Sequence, residues 1–223
     1  MPEMRQAFKN TLRLILIAIF IYSCNHSNDL NEDNFSKEKI EEEFDLMSKI
    51  IQCDSVYPGK NIRIEYLEHE FENNELTATF AIIKNGKNLI FDSLSTGIYA
   101  VKFSDFNGDG IKDVLAHNSS DARSNWTWYL YIASSDLNSF KRIKGFEEIK
   151  NPNYLKKYDL IDCLVMSGNN WTSFYAIDND TIIDFGYIVN MGFNNEKQEY
   201  YNYDKDYITS LKRVMKLKAN LRN

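Results

Sequence analysis

The chain has 223 residues, with 26 Lys and Arg against 32 Asp and Glu, a formal charge of −6. That length supports one good hydrophobic core and is marginal for two. Tyr and Phe, 14 each against three Pro, favour sheets over flexible linkers. An acidic chain without a basic stripe repels nucleic acid, which excludes that class of partner.

Arg5, Lys9 and Arg13 precede an apolar run from Leu14 to Tyr22. A positive head, a short apolar stretch and a small residue before the cut describe a secretory signal. The run is too short to cross a bilayer core of roughly 30 Å as a helix. It ends Ile21-Tyr22-Ser23-Cys24, which resembles the lipobox of bacterial lipoproteins, an aliphatic residue three before a Cys and a small one directly before it. The resemblance implies a diacylglyceryl thioether on Cys24, with the lipid as the membrane anchor. It also implies residence in the envelope of a Gram-negative bacterium, on the periplasmic face of the outer membrane or at the cell surface. Without the first 23 residues the charge falls to about −8.

Residues 24–36 (CNHSNDLNEDNFS) are polar and read as a tether. The rest, residues 37–223, reads as one domain, and no repeat of 20 to 50 residues is visible in it. Ser36 is placed to cap a helix, and Ile40, Phe44, Met47, Ile50 and Ile51 recur at helical spacing behind it. After Tyr57-Pro58-Gly59 the period changes to two. Strands are expected at Ile62–Leu67, Leu76–Ile83 and Asn88–Ser93, with Asn85-Gly86 turning the hairpin between the last two. Further strands are expected at Ile98–Phe103, Trp126–Ala133, Leu160–Ser167, Thr172–Ile177 and Ile182–Val189, and Tyr207–Leu221 returns to helical spacing. The fold class expected is mainly β, an antiparallel sandwich or partial propeller-like domain with an N-terminal amphipathic helix and a C-terminal helix. With Cys24 lipidated, Cys53 and Cys163 remain. An oxidising compartment permits a disulfide between them, and two separately buried thiols are the alternative.

The sharpest chemical signal is Asp105-Phe106-Asn107-Gly108-Asp109-Gly110-Ile111-Lys112-Asp113. Oxygen-bearing side chains stand at its first, third, fifth and ninth positions, and the Ile111 carbonyl is a further candidate ligand. Ca2+ takes six to eight oxygens, and a sharply wrapped loop turns alternate side chains toward its centre. Mg2+ prefers a rigid octahedron and keeps its waters. An EF-hand requires a bidentate Glu where Ala116 stands, and helical flanks. The segment resembles instead the Asp-x-Asn-x-Asp-Gly-x-x-Asp turns of FG-GAP and VCBS repeat proteins, which implies calcium held between strands.

From Tyr99 to Val189 the order of parts is an apolar strand, the acidic loop, an Asn/Ser-rich loop and the aromatic strand Trp126-Thr-Trp-Tyr-Leu-Tyr131. A short strand at Ser139-Phe140, then Asn151-Pro152-Asn153-Tyr154, complete it. This arrangement is similar to the periplasmic proteins that share a fold with inhibitors of invertebrate-type lysozymes. The likeness implies a lysozyme-like peptidoglycan hydrolase as partner and a Ser-Gly-x-Tyr loop entering its cleft. Ser167, Gly168 and Trp171 occupy the corresponding stretch, with Asn170 in place of the Tyr. Trp171 either plugs a sugar-binding cleft from a turn or starts a strand and packs inward.

Catalytic signatures are lacking in the sequence. There is no Gly-x-Ser-x-Gly elbow, P-loop or Gly-x-Gly-x-x-Gly, and His69-Glu70 has no second His to complete a zinc site. The expectation is a non-catalytic, membrane-anchored calcium-binding module. Its alternatives are an envelope or surface lipoprotein that binds glycan or protein in an assembly, and a cell-wall hydrolase.

Overall fold

The computed structural model describes residues 48–70 and 76–221. The signal, Cys24, the tether and most of the expected N-terminal helix lie outside these residues. The chain from Ser48 onward is mainly β, in four antiparallel sheets with one helix at the end.

The first sheet is a meander of β1 (Ser48–Gln52), β2 (Ile62–Glu70), β3 (Leu76–Lys84) and β4 (Lys87–Ser95), paired in that order. Its tightest connection is the two-residue turn Asn85-Gly86, both with positive φ (50° and 77°). That is the backbone which matches the twist of the strands it joins, and Asn-Gly adopts it at little cost. The second sheet runs β5 (Val101–Ser104), β6 (Asp113–Ser120), β7 (Trp126–Ala133) and β8 (Phe140–Ile143). The third runs β9 (Pro152–Leu155), β10 (Leu160–Val165), β11 (Trp171–Asp178) and β12 (Thr181–Asn190), again with neighbours in chain order. A two-stranded ribbon, β13 (Phe193–Asn194) with β14 (Glu199–Tyr200), leads to helix α1 (Tyr203–Leu221).

The three large sheets stack as layers, and the side-chain clusters between them show the order. Ile64, Tyr66, Phe80 and Ile82 of the first sheet pack on Val114, Ala116, Tyr129 and Tyr131 of the second. Leu115, Trp128, Leu130 and Ile143 on the other face of the second sheet pack on Ile161, Cys163 and Val165 of the third. Phe174, Ala176 and Val189 on the far face of the third meet Leu211 and Val214 of α1. The middle sheet is therefore covered on both faces. This explains why Trp126-Thr-Trp-Tyr-Leu-Tyr-Ile-Ala133 is almost continuously apolar where a half-solvated strand would alternate. None of the sheets closes into a barrel.

Helix α1 begins at Tyr203, four residues before the periodicity suggested. Asn202 accepts the Lys205 N–H through its side-chain oxygen at 3.3 Å, and Asp204 and Asp206 stand in the first turn, where the helix dipole favours acid. Near the other end Lys218, 8% exposed, donates to the Asp159 carboxylate at 2.7 Å and to the Asp159 carbonyl.

One expectation is corrected here, and one open alternative is resolved. Where the helical spacing reached Ile50 and Ile51, the chain forms β1. It pairs with β2 in the register Ile50↔Glu65 and Ile51↔Ile64. Ile50 is 57% exposed while Ile51 packs on the first core cluster, a period of two imposed by pairing with an adjacent strand. Cys53 and Cys163 are both free and buried in different clusters, on opposite sides of the middle sheet. The separately buried thiols hold and the disulfide does not form. Burial pushes the Cys53 thiol up to about 11, so it is an inert core residue at neutral pH.

Leu130 is fully buried at the centre of the middle sheet. Leu130→Ala is expected to cost about 2–5 kcal/mol in urea unfolding, since the layers on both sides hold the cavity open. Phe91→Ala, at a position 72% exposed, is expected to stay within about 0.5 kcal/mol.

Candidate metal centre

The acidic segment is the connection between β5 and β6, whose last register pair is Ser104↔Asp113. Phe106 fastens it from within. Its ring is buried, edge-on to Phe146 at 5.2 Å and tilted against Tyr154 at 6.0 Å. With that ring in the core between the second and third sheets, Asn107 on one side is exposed and Asp105 on the other is partly covered. Two glycines carry the bend, Gly108 at φ 78° and Gly110 at φ 90°. At Gly108 a Cβ would also meet the Tyr154 hydroxyl at 3.0 Å, so the position is closed to side chains on both counts.

The loop's amides are taken up by its own side chains. Asp105 accepts from Gly108 N–H at 2.6 Å and from Gly110 N–H at 3.0 Å. Asn107 accepts the Asp109 N–H at 3.1 Å and donates to Asp109 Oδ2 at 2.8 Å. Asp109 Oδ1 accepts the Ile111 N–H at 2.7 Å. Asp113, with no solvent exposure, accepts the Phe106 N–H at 2.7 Å through Oδ2 and the Ala133 N–H at 2.9 Å through Oδ1. One carboxylate thus joins the start of the loop, the first residue of β6 and the end of β7.

The electrostatics divide between the carboxylates. Burial pushes Asp105 up, but the Lys156 ammonium at 3.2 Å and the Gly110 and Gly108 amides outweigh it, and its pKa falls below the ordinary carboxylate range. Asp113 rises to about 6. Burial is the main cause, the Phe106 and Ala133 amides oppose it, and the negative charges of Asp109 and Asp105 add to it. Lys156 lies 51 residues from Asp105, on a largely exposed side chain. No sequence spacing could have associated the two.

The structure therefore gathers Asp105, Asn107, Asp109 and Asp113 in one loop. Ile111 enters it through its N–H. Among the described residues, no three carboxylate, imidazole or thiol side chains converge to hold a metal as they stand. In kind, the donors fit a hard divalent cation. Each carboxylate oxygen engaged by an amide keeps a second lone pair, and the charges of Asp105 and Asp109 act on Asp113, with Lys156 offsetting part of the charge at Asp105.

The other sequence-derived candidates lie elsewhere. Ser167 and Gly168 sit in the turn from β10 to β11, where the Ser167 hydroxyl donates to the Asn169 carbonyl and Asn170 accepts the Ser167 N–H at 3.0 Å. Trp171 opens β11 half-buried against the core between the second and third sheets. Its ring is thus partly spent on packing. Asn125, only 3% exposed, holds the base of this turn by exchanging hydrogen bonds with both backbone groups of Met166 at 2.8 Å. Trp126 and Trp128 share one face, stacked at 15° with centroids 6.0 Å apart, and both meet the buried His117 ring edge-on.

No protein-family model, curated protein or solved structure matches the chain. The site's meaning rests on its own chemistry.

Asp113 gives a pH dependence with a definite sign. A folded-state pKa near 6 against about 3.9 unfolded means that its contribution is fully present below pH 4 and lost as pH rises through 6. In chelator, the stability of wild type minus Asp113→Asn is expected to decline between pH 4 and 7. A difference that is flat or rises over that window would contradict the burial of this carboxylate beside its two acidic neighbours.

Proposed function

We propose that the protein is a non-catalytic, calcium-stabilised binding module, held at a membrane of the bacterial envelope by lipid on Cys24. The observation that carries the calcium part is the Asp113 carboxylate, buried between two strands with Asp105 and Asp109 raising its proton affinity. A divalent cation held by Asp105, Asn107, Asp109 and Asp113, with the Ile111 carbonyl, would neutralise that charge. When bound, it supplies cross-linking and no reaction chemistry. The protein's part is to position the donors, through Phe106 in the core, the bends at Gly108 and Gly110, and the amide grip on Asp113.

The partner class we favour is a lysozyme-like peptidoglycan hydrolase, approached through the end of the sheets that carries the Ser167–Trp171 turn. Asn125 braces that turn from below, which supports a presenting surface more than a catalytic one. An envelope assembly that binds glycan or protein through the same end is the alternative. Retention of a purified muramidase by the immobilised chain, with protection of peptidoglycan from it, separates the two.

Calcium at 100 times its dissociation constant stabilises a folded chain by about 2.7 kcal/mol, a shift of roughly 5–10 °C at this size. Asp109→Ala is expected to abolish that shift while leaving the melting temperature in chelator close to wild type, since Asp109 is exposed. Identical wild-type melting curves in calcium and in chelator would defeat the calcium reading.

A further inference from the structure

The edge of the middle sheet beside the acidic loop offers main-chain groups without partners among the described residues. The ladder between β5 and β6 pairs Val101↔Ala116, Lys102↔Leu115, Phe103↔Val114 and Ser104↔Asp113, and just before it the His117 N–H donates to the Ala100 carbonyl at 2.9 Å. Antiparallel pairs alternate between hydrogen-bonded and non-hydrogen-bonded. Lys102 and Ser104 therefore turn their backbone groups toward β6, and Val101 and Phe103 turn theirs away from it. Because β5 ends the sheet, those two N–H and two C=O groups have no backbone partner among the described residues.

A cleft of about 490 Å³ runs along this edge, between β5 and the start of the third sheet at β9, with Trp128, Leu115 and Phe106 in its floor. That is within the usual size of a binding site, roughly 300–1,000 Å³. The Trp128 ring in the cleft is closed to stacking. Trp128 is 3% exposed and the Lys102 ammonium sits 4.4 Å from its ring centroid. Lys102 itself is exposed and has no carboxylate partner among the described residues. A lysine on a free edge opposes pairing with a second copy of that edge and favours a strand carrying negative charge.

We propose that this edge binds an extended acidic peptide segment of a partner protein, added as a fifth strand next to β5. The peptide backbone pairs with Val101 and Phe103, alternate side chains enter the cleft, and an Asp or Glu meets Lys102. This names a partner site for the binding-module reading and rests on it.

The test uses the intact chain and a fluorescein-labelled decapeptide of alternating Glu and Val, with the alternating Lys and Val peptide as control. Anisotropy is expected to report binding of the acidic peptide only, with the Val101 and Phe103 amides newly protected from hydrogen exchange. Val101→Pro removes one outward N–H without touching the ladder, as an edge position tolerates. Lys102→Glu reverses an exposed charge and keeps the test decisive if the proline variant misfolds. Each is expected to weaken binding roughly tenfold or more. No binding, equal binding of both peptides, equal binding by both folded variants, or protection of these amides by self-association would each overturn the proposal. Running the titration in calcium and in chelator separates its failure from a failure of the calcium reading.

Discussion

A single carboxylate with no solvent exposure, at the first residue of β6, holds the loop before it to the strand after it. Asp113 accepts one hydrogen bond from Phe106 and one from Ala133, and so closes the end of the middle sheet on which the neighbouring layers pack. A carboxylate placed there costs desolvation, to which two nearby acidic side chains add. Phe106, two residues into the loop, repays part of that by burying its ring against Phe146. The loop is therefore a joint between two hydrophobic clusters, with Phe106 in one and Ile111 packed on the other.

The layer order follows from connection length. Each large sheet is a meander of strands adjacent in sequence, and each packs a face on the next sheet in chain order. The middle sheet gains most, covered on both sides, and the third is finished by α1 through Leu211 and Val214. An apolar face on each sheet requires a neighbour, and the helix supplies the last one.

Much of this was legible in the residues. Asn85-Gly86 announced its hairpin, the aromatic run from Trp126 announced a strand, and the spacing of oxygen side chains from Asp105 to Asp113 announced the loop. Strand β6 was not legible as a separate element. Its Asp113-Val-Leu-Ala-His117 stretch is buried on both faces, so it has no alternation of period two, and its polar end resembles a loop. β1 was hidden because Ile50 and Ile51 fit a helical period as well as a strand, and only pairing with β2 decides between them. In the site, Asp105 and Asp109 were found by spacing. Lys156 and the Ala133 amide reach the loop from distant strands and turns, which no local pattern encodes.

We propose that the charge of Asp105, Asp109 and Asp113 is neutralised by one divalent cation. The most direct measurement is anomalous diffraction, at long wavelength, from crystals grown in calcium and in chelator. One anomalous peak is expected among those three carboxylates and Asn107 in calcium, at oxygen distances of about 2.3–2.6 Å, with the Lys156 ammonium drawn away from Asp105. Maps without a peak in calcium, with Lys156 still on Asp105 and Asp113 held only by its two amides, would contradict it.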